Sequence, residues 1–231
     1  RAMTDAKEPP EKKVRVDVPK LLYFNFPGKG ECIRLAFHYG GIPFEDYRFS
    51  SREEFTKMKE SGELQFGQVP ALVVDGKTLT QSAAILRFVG KRAGLYPEDP
   101  VLAAHVDAIM DQEADALMGF RVTKYQERFG FGAWLMTDEN VAKLRADINR
   151  DIIPRHMGQL EKILEQGGTG WLAGTPEPTI ADFFWVPTLQ LLEKGDWNGD
   201  PTVMKPFAGL QGLVKRFLAL PAVAEYYRSS D

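Results

Sequence analysis

The chain has one cysteine, three histidines and no apolar run approaching the roughly 20 residues that a membrane-spanning helix needs. A lone cysteine cannot form an internal disulfide, a Cys-x-x-Cys redox pair or a cysteine-rich zinc site, and its scarcity fits a reducing compartment. His38, His105 and His156 share no metal-ligand spacing, so each reads as a helix-surface or locally satisfied side chain, and no metal is expected. There is no basic excess either: 29 Lys and Arg stand against 32 Asp and Glu, a net charge of −3. Nothing is left over to neutralise a phosphate backbone, which argues against a nucleic-acid partner. Gly-x-Ser-x-Gly, P-loop and dinucleotide glycine patterns are absent, and Pro27-Gly28-Lys29-Gly30 is too short for one. A serine hydrolase, an NTPase and a Rossmann dehydrogenase fall away with them. No signal-peptide pattern opens the chain, and the expectation is a cytoplasmic protein without a membrane partner.

What is present is an ordinary globular composition of 231 residues, 44% hydrophobic and 26% charged, which rules out a disordered, collagen-like or coiled-coil chain. At roughly 150 residues per domain the length suits one large domain or two small ones. Residues 1–19 are polar, carry Pro9-Pro10 and mix both charge signs, the pattern of a mobile arm, with Arg1-Ala2 ahead of Met3 reading as an expression remnant. Leu21 to Phe26 is an apolar strand stopped by Pro27-Gly28, and Glu31 to Tyr39 is a helix stopped by Gly40-Gly41. Phe44 to Phe49 alternates like a half-buried strand, and Ser51 to Glu60 is a charged surface helix. Asp75-Gly76 between Ala71–Val74 and Lys77–Thr80 signals a hairpin, and Ser82 to Ala93 is a helix before Gly94. Residues 20–95 thus read β-α-β-α-β-β-α, a small mixed sheet covered by helices. Beyond a linker at 96–100, residues 101–231 show helical periods only. Val106, Ile109, Met110, Leu117 and Phe120 form one long stripe, and a glycine-rich break follows at Phe129 to Trp134. Glu139 to Gln166 reads as one helix bent at Pro154. Thr179 and Asp182 have capping-box spacing, and short helices close the chain near Phe207–Leu218 and Pro221–Arg228.

Three features gather on the small sheet. A cis Val69-Pro70 bond, a form taken by about 5–6% of X-Pro bonds, would turn the Val69 backbone outward to pair with an extended peptide. Ser82 can cap the helix it starts, and that N-terminus offers free N–H groups to a carboxylate. Tyr23 ends an apolar strand beside a chain reversal. Taken singly, a strand tyrosine is a core residue and a serine before a helix is a cap.

Taken together, Leu22-Tyr23-Phe24-Asn25-Phe26-Pro27-Gly28-Lys29-Gly30-Glu31, Phe66-Gly67-Gln68-Val69-Pro70 and Leu79-Thr80-Gln81-Ser82-Ala83-Ala84-Ile85-Leu86-Arg87 resemble the cytosolic glutathione transferases. The likeness is to the tyrosine type, closest to the sigma class and similar to pi. It continues through Val106-Asp107-Ala108-Ile109, Thr179-Ile180-Ala181-Asp182 and Pro221-Ala222-Val223-Ala224, covering about residues 20 to 228. The resemblance implies a thioredoxin-like α/β N-terminal domain with a mixed four-stranded sheet, an all-α C-terminal domain, glutathione as cosubstrate and a homodimer.

It also assigns roles. Tyr23 would donate a hydrogen bond to the glutathione sulfur and favour the nucleophilic thiolate. Val69, before Pro70 and after Gln68, would pair its backbone with the cysteinyl unit, and Gln81 and Ser82 would hold the γ-glutamyl carboxylate. Lys59, or Lys57 as an alternative, would reach the glycine carboxylate. Phe55 stands where the family often has a tryptophan, and Lys29 where it usually has an arginine supporting the tyrosine, so the charge stays but the planar fork is lost. Asp115 matches an aspartate that approaches the glutathione of the other subunit, and Phe66 reads either as a key into that subunit or as a loop aromatic packed on its own domain.

Phe24, Phe26, Met118, Arg121, Val122 and Tyr125 are the candidates to line the pocket for an apolar electrophile. The loop from Phe129 to Met136 lies near its mouth. Cys32 falls a turn beyond the position of a catalytic cysteine in cysteine-type relatives and reads as structural. Some sigma relatives are prostaglandin D synthases with a metal-responsive aspartate cluster, but here Ala114 separates Asp111 from Asp115. Glutathione conjugation is therefore the leading expectation. A glutathione-dependent peroxidase or isomerase and a non-catalytic ligand carrier or crystallin-like protein are its rivals.

Overall fold

The computed structural model describes residues 18–196 and 199–230. The arm lies outside the described residues up to position 17. Pro19 is buried, and its carbonyl accepts the Glu45 amide at 2.8 Å.

Strands β1 (Lys20–Phe24), β2 (Glu45–Phe49), β3 (Ala71–Val74) and β4 (Lys77–Thr80) form one sheet in the order β2-β1-β3-β4. β1 and β2 run parallel, with Lys20 opposite Glu45 and Phe24 opposite Phe49. β3 is antiparallel to both neighbours, Ala71 facing Leu22 on one side and Thr80 on the other. Helix α1 (Glu31–Tyr39) makes the crossover, α2 (Arg52–Glu60) follows β2, and α3 (Ser82–Arg92) follows β4. This is the thioredoxin-like arrangement expected from the sequence.

The period of two along β1 divides its residues between two cores. Leu21 packs with α1 and α3 in the main core, whereas Leu22 joins Phe49, Leu64 and Ala71 in a smaller cluster beneath α2. β1 ends at Phe24, two residues short of the expected Phe26. The Phe24 and Phe26 carbonyls each accept a bond at 3.1 Å from the Arg34 guanidinium, which takes them out of any ladder before Pro27.

The remainder is helical: α4 (Pro100–Lys124), α5 (Asp138–Asp147), α6 (Ile153–Gly167), α7 (Ile180–Lys194), α8 (Ala208–Leu218) and α9 (Pro221–Ser230). Asp99 caps α4 by accepting the Leu102 amide at 2.7 Å, with Pro100 in the first turn, where its missing donor costs nothing. The stripe from Val106 to Phe120 is buried throughout. The helix expected over 139–166 is one unbroken helical run over 138–167 that contains a π-helical segment at Ile148–Ile152. Pro154 follows the π segment directly, and its missing N–H removes one rung of the ladder there. The wide turn delivers Ile148 onto Gly119 of α4, where a Cβ would lie 2.7 Å from the isoleucine Cδ1.

The two parts meet over a broad apolar face. α1 packs on α3, α7 and α9, and one continuous core runs from Leu21 and Phe37 to Trp185 and Phe217. At the junction the Ile180 amide donates to the Leu95 carbonyl at 3.0 Å, and a Cβ on Gly90 of α3 would lie 2.2 Å from Ile180 Cγ2. The expected capping box at the start of α7 is present. Asp182, fully buried, accepts from the Leu172 amide at 2.9 Å, the Thr179 amide at 2.8 Å and the Thr179 hydroxyl at 3.3 Å.

Candidate active site

Sheet topology brings three separate pieces of sequence to one edge. β1 runs antiparallel to β3 with Leu22 opposite Ala71, so Tyr23 and the Val69-Pro70 step lie at the same end of the sheet. Ala71 also pairs with Thr80, which places Gln81 and Ser82 there as well.

Tyr23 is 6% exposed, and its hydroxyl accepts the Lys29 backbone amide at 2.9 Å. While the oxygen accepts from that amide, its own proton remains available to donate. Burial pushes the Tyr23 pKa up to about 12; the Lys29 amide works against this and the nearby Tyr125 hydroxyl adds to it. The group is therefore a protonated donor across the physiological range. The turn after β1 closes tightly on this ring. Gly28 has φ +43°, and a Cβ there would sit 2.5 Å from the Tyr23 hydroxyl, while one on Gly30 would sit 2.6 Å from the ring Cδ1. These glycines, which match no phosphate-loop pattern, are small because the tyrosine leaves no room.

Arg34 completes the support. It is 1% exposed on α1, its Nε lies 3.0 Å from both carboxylate oxygens of Asp46, and its guanidinium lies 5.6 Å from the Tyr23 ring centroid. Sequence reasoning passed over it, although a lone arginine among Ile33, Leu35, Ala36 and Phe37 was the available signal.

Lys29 supports the tyrosine through its backbone, not through its charge as expected. Its side chain turns to Glu113 of α4 at 2.6 Å and lies 4.4 Å from the Phe184 ring centroid. Glu113 is 1% exposed and also accepts from Arg121 at 2.5 Å and from the Thr188 hydroxyl at 3.3 Å. Burial by itself would raise the Glu113 pKa, but Lys29 and Arg121 outweigh it and hold the carboxyl below its ordinary range. Glu113 was also missed, sitting as it does within the apolar stripe of α4. Its partners are 84 and 8 residues away in sequence.

The Val69-Pro70 bond is cis, as expected. Gln68 and Val69 are half-buried and Pro70 is buried. Ser82 does not cap α3. It is the first helical residue, and the capping position belongs to Gln81, whose side chain makes no capping bond and whose backbone is at φ +69°. A non-glycine residue in that region stores strain of order 1–3 kcal/mol, and such strain collects at functional sites. The amides at the start of α3 are thus left without a side-chain cap, suited to an anionic group.

Lys59 is exposed, and its stem lies over Gly67, next to Gln68, which favours it over Lys57. Phe55 packs on Phe24 and Phe49 with ring centroids 5.1 and 5.7 Å apart. Asp115 is exposed on α4 and Phe66 is 59% exposed.

Among the pocket candidates, Phe24 and Phe26 stack with centroids 5.6 Å apart, and Phe26, Met118 and Tyr125 are 52, 48 and 43% exposed. Val122 is half-buried, and Arg121 is drawn toward Glu113. Cys32 is buried, with its thiol pKa pushed up to about 12 by burial, which removes it as a nucleophile. No group of three or more His, Cys, Asp or Glu able to hold a metal occurs among the described residues, and no helix there is long and apolar enough to cross a membrane.

A thioredoxin-like sheet with a tyrosine at its edge, joined to an all-helical unit through a shared core, is the architecture of the glutathione transferases. Two family models match, described as the glutathione S-transferase N-terminal domain over residues 19–91 and C-terminal domain over residues 128–230. Glutathione S-transferase 1 of Ascaris suum is 39% identical over 155 residues, 67% of this chain and 71% of that protein. Hematopoietic prostaglandin D synthase of Gallus gallus is 33% identical over 210 residues, 90% of this chain and 94% of the other. The crystal structure of monomeric Na-GST-3 from the hookworm Necator americanus superposes with a TM-score of 0.74 at 29% identity, covering 92% of this chain and 97% of that one. The chain belongs to the glutathione S-transferase family, enzymes whose cosubstrate is glutathione.

Proposed function

We propose that this protein conjugates glutathione to small electrophiles as a tyrosine-type transferase closest to the sigma class, with Tyr23 stabilising the thiolate. The observation that carries the reading is the Tyr23 hydroxyl: buried, protonated, accepting from Lys29 and with its own proton available to donate. Beside it, Val69 would pair with the cysteinyl backbone, and the uncapped start of α3 with Gln81 and Ser82 would take the γ-glutamyl carboxylate. Lys59 would meet the glycine carboxylate and Phe55 would wall that end, with Gln68 and Pro70 shaping the turn. In the reaction the thiol proton leaves to solvent, the thiolate attacks the electrophilic carbon, and the leaving group departs or the acceptor takes up a proton. Detoxification in the cytoplasm is the setting this chemistry fits.

The carboxylate assignment is tested by Ser82→Ala. Losing one hydrogen bond to an anion, worth ~1.5–3 kcal/mol, should weaken glutathione binding about ten-fold or more by calorimetry. Unchanged affinity would remove Ser82 from the site.

A homodimer is part of the proposal, with Asp115 reaching the partner's glutathione and Phe66 docking into the partner. Sedimentation at micromolar concentration should give twice the chain mass, and a monomer would withdraw both roles.

The Gallus gallus synthase, similar over 94% of its length, favours one alternative, an isomerase using the same thiolate. Against a metal-responsive form of it, Ala114 interrupts the acidic series and Asp111 is paired with Arg87 at 3.0 Å. Product analysis with a hydroperoxide and with an isomerisable endoperoxide separates these activities from conjugation.

A further inference from the structure

We infer that the second substrate of this site carries an anionic group, a carboxylate in its simplest form, recognised by Arg121 together with Lys29. This rests on the transferase reading and names the class of acceptor within it.

Glu113 takes Lys29 on one carboxylate oxygen at 2.6 Å and Arg121 on the other at 2.5 Å. Two cations on one carboxylate leave one positive charge uncompensated. The carboxylate is 1% exposed, but the Lys29 and Arg121 side chains are 30 and 22% exposed, so the surplus is turned toward solvent. A guanidinium has five N–H donors, and among the described residues Arg121 finds an acceptor only for Nη2.

Glu113 ties both cations to the neighbourhood of Tyr23. Lys29 binds the Tyr23 hydroxyl through its own amide. Arg121 lies in the last turn of α4, with the amide of Tyr125, just beyond the helix, donating to the Arg121 carbonyl at 2.9 Å, and Tyr125 is close enough to Tyr23 to influence its ionisation. Phe26 and Met118, the apolar candidates for the acceptor pocket, are roughly half exposed.

An uncharged acceptor would strip water from the surplus charge and the open guanidinium donors without replacing it. An acceptor with an apolar body and a carboxylate covers the aromatic wall and gives Arg121 the planar partner its fork fits. Glu113 therefore does more than hold two cations: it fixes the guanidinium at the pocket and leaves its remaining donors outward.

The probes are S-benzylglutathione and its 3- and 4-carboxybenzyl counterparts, which differ only by the carboxylate. Affinities are measured by calorimetry on the wild type, Arg121→Gln and Arg121→Glu. The wild type should prefer the better carboxybenzyl probe by roughly ten-fold, a margin that shrinks with added salt. Arg121→Gln should bring the ratio near one, and Arg121→Glu should invert it. Using the ratio cancels any general loss caused by the substitution. Equal affinity for all probes in the wild type, or a preference unchanged in both variants, overturns the inference and leaves the transferase reading standing. Failure of S-benzylglutathione to bind the wild type overturns both.

Discussion

Tyr23→Phe should shift the rising, acid-side limb of the conjugation pH profile upward by about one to two pH units. A hydrogen bond to an anion is worth ~1.5–3 kcal/mol, and one pH unit corresponds to about 1.36 kcal/mol. At pH 6.5 the rate should fall about ten- to hundred-fold. The deficit should narrow as pH rises, because more of the bound glutathione then ionises without help. Ultraviolet absorbance of the bound thiolate reads the same shift directly. The substitution is conservative in shape: the ring keeps its place against Gly30, beneath Arg34 and beside Phe26. What it removes is the donor, together with the acceptor for the Lys29 amide. A pH profile superimposable on the wild type would refute the role given to this hydroxyl. Cys32 offers no substitute, since burial keeps it protonated.

The largest effect on stability should come from Asp182. Asp182→Ala leaves the Leu172 amide, the Thr179 amide and the Thr179 hydroxyl facing an empty buried space. At about 1–3 kcal/mol for each unsatisfied donor, less what is recovered by no longer burying a charge, the net cost should be about 3 kcal/mol or more. Asp182→Asn separates charge from shape. Burial pushes the native Asp182 pKa up to about 6, against an ordinary carboxyl near 3.8. Between those values the folded protein binds more protons than the unfolded chain, so this group's contribution is fully present below pH 3.8 and is lost as pH rises through 6. The stability of the wild type relative to Asp182→Asn should therefore decline from pH 4 to pH 7, by as much as about 3 kcal/mol. Urea unfolding of both proteins across that range measures it. A difference independent of pH would show that the carboxyl is not shifted.

The sequence predicted what local pattern controls. The hairpin about Asp75-Gly76, helix α1, the buried stripe of α4 and the box at Thr179 and Asp182 lie where periodicity and turn chemistry put them. The misses are places where a distant residue decides. β1 stops early because Arg34, ten residues on, claims the Phe24 carbonyl. The helix after residue 138 carries a π turn just before Pro154, and Ile148 within that turn packs on Gly119 across the bundle. Ser82 looks like a cap in one dimension, yet Gln81 takes that position in a strained backbone. Tyr23, Val69-Pro70 and Gln81-Ser82 were recognised through resemblance, and strand pairing explains why they converge. Glu113 had no local signature, because a carboxylate in an apolar stripe makes sense only once Lys29 and Arg121 are seen on either side of it.

The seam between α3 and α7 carries a consequence for how such a chain can be varied. Gly90 and Ile180 are far apart in sequence and belong to different halves of the molecule, yet the space for one is fixed by the bulk of the other. A first half taken from a relative with a larger residue at position 90 could not seat against this second half unless position 180 shrank with it. Exchange of halves with another member of the family is thus constrained by a steric agreement at the seam.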